Sequence, residues 1–179
     1  GNSEQGLFER NLVICEMNVI GEGIRLGLSL GGGGTAKAAC RAGDCSTEHS
    51  RGTIRNNIIM RCPHDVGIYL NRAAATEIYN NTMLRTLGID VRFSTSNATI
   101  ANNILSGRIL NRDHGYNEQL RNLVSSMSPW FWEARPQDWF VDPDGGDLTL
   151  RSISAGTIDR KIAPTLVPSS IRPLSVANR

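Results

Sequence analysis

The chain predicts an all-β fold, a parallel β-helix whose coils repeat about every 22 residues, and three observations carry that expectation. One phrase recurs: Ile54-Arg55-Asn56-Asn57-Ile58-Ile59, then Ile78-Tyr79-Asn80-Asn81-Thr82-Met83, then Ile100-Ala101-Asn102-Asn103-Ile104-Leu105. The second asparagine of each pair falls at 57, 81 and 103, giving steps of 24 and 22 residues. Each copy then continues into a second short apolar run: Gly67-Ile68-Tyr69-Leu70, Gly88-Ile89-Asp90-Val91 and Gly107-Arg108-Ile109-Leu110. Within these runs apolar and polar residues alternate, the period of a strand with one buried face.

One copy cannot bury its apolar face alone, but stacked copies can, with equivalent residues about 4.8 Å apart. Equivalent side chains then lie directly above one another. Asparagine suits a bend in such a stack because it tolerates unusual backbone angles. Its amide can also donate to one neighbouring copy and accept from the other, so Asn57, Asn81 and Asn103 are expected to form a ladder.

Residues 6–30 read as the first coil. Leu7-Phe8-Glu9-Arg10-Asn11-Leu12-Val13-Ile14 has the phase of 53–60, and Gly23-Ile24-Arg25-Leu26 matches Gly67-Ile68-Tyr69-Leu70. Residues 31–51 lose the alternation and read as a long loop insertion, a feature that is often functional. The glycines Gly31 to Gly34 do not make a phosphate loop: no glycine precedes Lys37, and Ala38 stands where a hydroxyl should hold the metal. They read instead as a flexible hinge at the loop root.

Cys40 and Cys45 flank a tight turn and are the expected disulfide, while Cys15 and Cys62, at similar phases of their coils, read as stacked buried thiols. A zinc alternative uses Cys40, Cys45 and His49 with Cys62 or His64, but its spacing matches no known zinc module, so no metal centre is assigned.

Residues 52–111 are the three clear coils. Alternation puts Ile68, Leu70, Ile89, Val91 and Phe93 inside, and Tyr69, Asn71, Arg72, Asp90 and Arg92 outside or at strand ends. Stacking then gives an outer column of Arg25, Tyr69 and Asp90 and another of Gly27, Asn71 and Arg92. The face reads either as a solvated surface with an Asp–Arg pair or as a binding surface, tyrosine offering a sugar-stacking ring and arginine an anion contact. Arg112, Asp113 and His114 follow as a polar turn, which is either only a turn or, with His64 and Asp65, a source of acid–base groups.

Leu120, Leu123, Val124 and Met127 follow helical spacing ahead of Pro129, predicting a short amphipathic helix over 117–127. Trp130, Trp132 and Trp139 read as part of a cap over the open end of the coil, so the helix and Trp-rich cap occupy 116–141. Asp142, Asp144 and Asp147 suit Asx turns before a last strand; calcium is the alternative, and no cofactor is otherwise expected. The organisation expected is a β-helix domain over 1–153 and an extended tail over 154–179 with three prolines.

The repeat copies, the run Gly27-Leu28-Ser29-Leu30 with its four following glycines, and the stretch from Trp139 to Leu148 resemble the right-handed parallel β-helix repeat proteins, a group that includes the pectate-lyase-like superfamily. The resemblance implies right-handed coiling and a substrate groove along one face. In lyases of this kind a basic side chain abstracts the proton next to a uronate carboxylate while a cation neutralises that carboxylate. On that model Arg92, Arg112, Lys37 and His114 are the catalytic candidates, with Asp90 and Tyr69 lining the site and Arg25, Asn71 and Arg72 binding ligand. A hydrolase would instead need a carboxylate pair, with Asp65, Asp90 and Asp113 as candidates. The expected role is therefore a carbohydrate-active, lyase-like module on an anionic glycan; the alternative is a non-catalytic binding or scaffold β-helix.

Composition sets the remaining bounds. Apolar residues are 40% and charged residues 20%, an ordinary globular balance, and the net charge of +2 gives no strong steering toward nucleic acid. No apolar run is long enough to span a membrane as a helix. The four cysteines suggest an extracellular or periplasmic setting, although no signal peptide is visible. The first coil begins without an evident cap, so it is expected to be covered by more chain or by a homo-oligomer contact.

Overall fold

The computed structural model describes residues 3–15, 25–36, 38, 40, 44–62, 64–125 and 136–151. The first rung holds β1 (Ser3–Glu4), β2 (Leu7–Glu9), β3 (Leu12–Ile14) and β4 (Leu26–Gly31). The second holds β5 (His49–Ser50), β6 (Thr53–Arg55), β7 (Ile58–Cys62) and β8 (Val66–Asn71). The third holds β9 (Ala73–Ala74), β10 (Thr76–Tyr79), β11 (Thr82–Thr86) and β12 (Gly88–Arg92). The fourth holds β13 (Asn97–Ala101), β14 (Ile104–Ser106) and β15 (Arg108–Arg112). A fifth begins with β16 (Tyr116–Leu120) and β17 (Leu123–Ser125).

Like strands of successive rungs pair in parallel. The first sheet is β2-β6-β10-β13-β16, the second β3-β7-β11-β14-β17 and the third β4-β8-β12-β15, with β1-β5-β9 as a short fourth side. Register places like on like. Phe8, Ile54, Ile78 and Ile100 form one inward column, Val13, Ile59, Met83 and Leu105 a second, and Leu28, Ile68, Ile89 and Ile109 a third. These columns are the core, and Ile54, Ile59, Ile68, Ile78, Met83, Ile89, Ile100 and Leu105 are fully buried. Each large aliphatic side chain removed from water contributes about 1.5–3 kcal/mol, so the stack rather than any single rung holds the fold.

Two neighbouring residues at the corner between the first and second sheets share the work. The residue before each ladder asparagine has left-handed backbone: Arg10, Asn56, Asn80, Asn102 and Arg121 have φ of 58, 55, 57, 56 and 55°. The ladder asparagine itself turns inward. Asn11, Asn57, Asn81 and Asn103 each donate backbone N–H and Nδ2 to the Oδ1 of the next one down, ending on Asn122, at 2.9–3.0 Å throughout. Spare amide hydrogens reach backbone carbonyls, such as Asn57 Nδ2 to Phe8 O at 2.9 Å and Asn81 Nδ2 to Ile54 O at 3.0 Å. Burial of these polar groups is thus matched by complete pairing.

The structure corrects several expectations. Residues 117–125 are not helical; they are β16 and β17, paired in register with β13 and β14. Asn122 is a ladder residue there, and its hydrogen bonds to Asn103 outweigh the helical spacing of the leucines; Met127 lies outside the described residues. The first-rung register is shifted by four residues, because Gly27-Leu28-Ser29-Leu30 and not Gly23-Ile24-Arg25-Leu26 aligns with Gly67 to Leu70. Ser29 therefore partners Tyr69, and Arg25 ion-pairs with Asp65 at 2.6 Å outside that column. Cys15 and Cys62 are not free thiols but a disulfide between the first two rungs, with Cα atoms 4.8 Å apart. Cys40 and Cys45 form the other disulfide. With both thiol pairs oxidised, and with His49 accepting from the Gly6 N–H, the zinc alternative has no thiolate to use.

The insertion is also shorter than 31–51, since His49 and Ser50 already belong to the next rung. Its glycines are not a loose hinge. Gly31, Gly32 and Gly34 have φ of 76, 88 and 76°, and Gly32 and Gly34 donate to Glu48 Oε2 at 2.7 and 2.9 Å. The glycine run is a nest of N–H groups filled by the chain's own buried carboxylate.

A 3-10 turn (Pro136–Trp139) leads into the antiparallel hairpin β18 (Phe140–Asp142) and β19 (Asp147–Leu150). This hairpin packs on the outer side of the second sheet, Phe140 and Trp139 meeting Met60, Leu84, Ile58 and Ile104. Trp139 thus covers a side of the solenoid and not its end; Trp130 and Trp132 lie outside the described residues. Asp144 accepts from Arg85 at 3.0 Å, Asp142 caps the Gly145 N–H, and Asp147 caps the Thr149 N–H, each at 2.9 Å. The tail beyond 151 lies outside the described residues, as does Lys37.

Candidate functional site

The third sheet and the corner that follows it hold most of the singled-out side chains. Register puts Tyr69 beside Asp90, and Asn71 beside Arg92 and then Arg112, one rung apart each time. These side chains leave the sheet on the face opposite the aliphatic core, because they alternate with Ile68, Leu70, Ile89 and Val91. At the next position the backbone turns left-handed in every rung: Arg72, Phe93 and Asp113 have φ of 55, 73 and 49°. That turn swings Phe93 out of the interior, where simple alternation had placed it. Two guanidiniums lie within cation–π distance of its ring, Arg92 at 4.7 Å and Arg72 at 5.5 Å from the centroid.

Hydrogen bonds lock the rest of the face. Arg92 donates to Asp113 through Nε and to Tyr69 OH through Nη1, the latter at 3.2 Å. Asn71 also donates to Tyr69 OH, at 3.4 Å, and Arg112 donates to the buried carboxylate of Asp90 at 2.7 Å. Arg72 reaches back to Glu48 at 3.4 Å, tying the cleft to the glycine nest. These contacts decide the electrostatics. The Asp113 bond, with help from Tyr69, raises the Arg92 pKa above the usual arginine range, and the same bond holds Asp113 below the usual carboxylate range.

Beside this network lies an open cleft of about 500 Å³, lined by Arg72, Phe93, Ser94, Thr95, Asp113 and His114 and closed on the loop side by Cys45 and Ser46. The Cys40–Cys45 disulfide therefore stands at its rim. Of the residues expected from the sequence, Tyr69, Asn71, Arg72, Asp90, Arg92, Arg112 and His114 belong to this face or its edge. Tyr69 and Asp90, however, are buried within it and outside the cleft lining, so the Tyr69 ring is not open for sugar stacking. Arg25 does not: it sits with Asp65 at the start of β4. Asp65 and Asp90 are both spoken for by arginines, so neither is presented with Asp113 as a free carboxylate pair. Phe93, Ser94 and Ser46 were not expected; Phe93 was hidden because the alternation that assigned it inward stops at the left-handed corner.

A polar face carried on stacked parallel sheets with an asparagine ladder defines a β-solenoid of the parallel β-helix class. Residues 18–109, half of the chain, match the family model described as right handed beta helix region, and the chain belongs to that family. No curated protein and no solved structure matches it significantly.

Proposed function

We propose that this domain binds an anionic carbohydrate in the cleft at the edge of the third sheet and does so without cleaving it. The observation that carries this reading is the Phe93 ring at the cleft, with the Arg72 and Arg92 guanidiniums 5.5 and 4.7 Å from its centroid. An aromatic ring beside guanidiniums offers apolar contact to a sugar and charge for its carboxylate or sulfate. Ser46, Ser94, Thr95 and His114 supply hydroxyl and imidazole partners around it.

The lyase-like alternative asks a basic side chain to give up its proton before the reaction. Arg92 is poorly suited, since Asp113 and Tyr69 both stabilise its charged form. Arg112 is equally engaged with a buried carboxylate. His114 is the group that keeps an eliminase reading alive, because it lines the cleft next to Asp113.

Isothermal titration with oligogalacturonate tests the proposal. Saturable binding that weakens with added salt is expected, with Arg72→Gln lowering affinity roughly tenfold. A rise in ultraviolet absorbance from unsaturated uronate products, lost in His114→Ala, would replace the binding reading with the eliminase one. No binding to any polyanionic oligosaccharide would sink both.

A further inference from the structure

A second groove, of about 610 Å³, runs along the outer side of the first sheet. Its floor is a stack of in-register residues: Glu77 on β10, Thr99 on β13 and Glu118 on β16. Tyr116 stands beside them, 56% exposed, with its hydroxyl donating to Glu118 at 3.2 Å. Ser94, Ser96 and Asn97 close one side. The buried Thr76 also lines it, and its Oγ1 has no protein partner among the described residues. Among the described residues no arginine or lysine lines this groove, in contrast to the cleft. Its chemistry is an exposed aromatic ring, two carboxylates that accept from hydroxyls, and several neutral polar groups.

That set suits an uncharged sugar unit. Carboxylates accept from sugar hydroxyls, a tyrosine ring stacks on the apolar face of a pyranose, and the two glutamates repel a uronate. Ser94 lines both the groove and the cleft, so the two adjoin at this corner. We infer that the groove is a subsite for an uncharged sugar, and that the ligand is a heteropolysaccharide carrying anionic and uncharged units, its charged unit in the cleft and its uncharged unit on Tyr116. This rests on the anionic-carbohydrate reading for its first half only.

The experiment compares three probes by titration calorimetry: an oligogalacturonate, an alternating glucuronate and N-acetylglucosamine oligosaccharide, and cellohexaose. The alternating oligosaccharide is expected to bind about tenfold tighter than the oligogalacturonate. Tyr116→Ala should remove that advantage while leaving oligogalacturonate binding unchanged, and Arg72→Gln should weaken both anionic probes. Thr99→Arg, which fills the groove while Tyr116 itself is retained, should reproduce the Tyr116→Ala result. Equal affinity for both anionic probes, with both groove variants silent, overturns the subsite and leaves the cleft reading standing. Weak binding of cellohexaose that is lost in Tyr116→Ala, with no binding of either anionic probe, supports the groove and overturns both the cleft and the mixed ligand. No binding of any probe overturns the whole proposal.

Discussion

Asn57 donates both its backbone N–H and its side-chain amide to a single oxygen, Oδ1 of Asn81, at 3.0 and 2.9 Å. Asn81 does the same to Asn103, so the middle residue is acceptor to one rung and donor to the other. Asn81→Ala therefore strands the backbone N–H and an amide hydrogen of Asn57 in a dry interior, while Asn103 Oδ1 keeps only the backbone N–H of position 81. A loss of about 3 kcal/mol or more is expected, since each buried polar group left unpaired costs roughly 1–3 kcal/mol. Asn11→Ala, at the exposed end, removes one side-chain donor and leaves the backbone N–H in place, and should cost about 1 kcal/mol. Urea denaturation of the two variants checks the ratio, and equal losses would mean that the ladder does not act as a connected series.

The two disulfides should differ in what their removal does. Cys15–Cys62 closes a separation of 47 residues and Cys40–Cys45 one of 5. On the chain-entropy argument these contribute about 4 and about 2 kcal/mol. Paired serine replacements followed by thermal unfolding test it: the first pair should loosen the first rung, the second only the loop.

His49 is buried against Gly6 and Gly52 and accepts from the Gly6 N–H through Nε2. Burial lowers its pKa below 6.5, because a charged imidazole would be stranded from water. Over the window between the lowered folded value and the unfolded one, the unfolded chain binds more protons. Stability from this residue is then complete above the unfolded value and lost as pH falls through the folded one. The melting temperature should begin to drop as pH falls through the ordinary histidine range, at about 6.5, and go on dropping below it. The slope should flatten in His49→Gln, whose amide oxygen can accept from Gly6. An unchanged slope in that variant would assign the acid sensitivity elsewhere.

Glu48 holds the glycine nest through two N–H bonds and meets Arg72. Glu48→Ala should leave the loop root without its anion, and trypsin should then cut after Arg41 or Lys37 several-fold faster than in the parent chain. Glu48→Gln, which keeps one acceptor oxygen, should fall between the two. If all three digest alike, the nest does not hold the insertion closed.

The repeat was legible because an inward asparagine is both unusual and periodic: Asn57, Asn81 and Asn103 announced their own column. The fifth copy is hidden in the sequence because Arg121-Asn122 lacks the doubled asparagine and its leucines also fit a helical stripe. Yet Arg10-Asn11 has the same form in the first copy, because the left-handed position before the ladder accepts arginine as well as asparagine. The register of β4 was ambiguous for a simpler reason. Gly23-Ile24-Arg25-Leu26 and Gly27-Leu28-Ser29-Leu30 carry the same apolar spacing, and only pairing with β8 separates them. The cleft was half legible: alternation located Tyr69, Asp90 and Arg92, but the turn that brings Phe93 against two arginines is set by backbone angles that side-chain patterning does not encode.

The unequal steps of the ladder, 46, 24, 22 and 19 residues from Asn11 to Asn122, coexist with an unbroken register on every face. Added residues are therefore absorbed where the chain bends, and a whole slice could be gained or lost without disturbing its neighbours. A single residue gained within a flat stretch would instead turn the downstream part of that strand inside out. Variation in such a chain has a grain, like timber: generous at the corners, unforgiving along the planks.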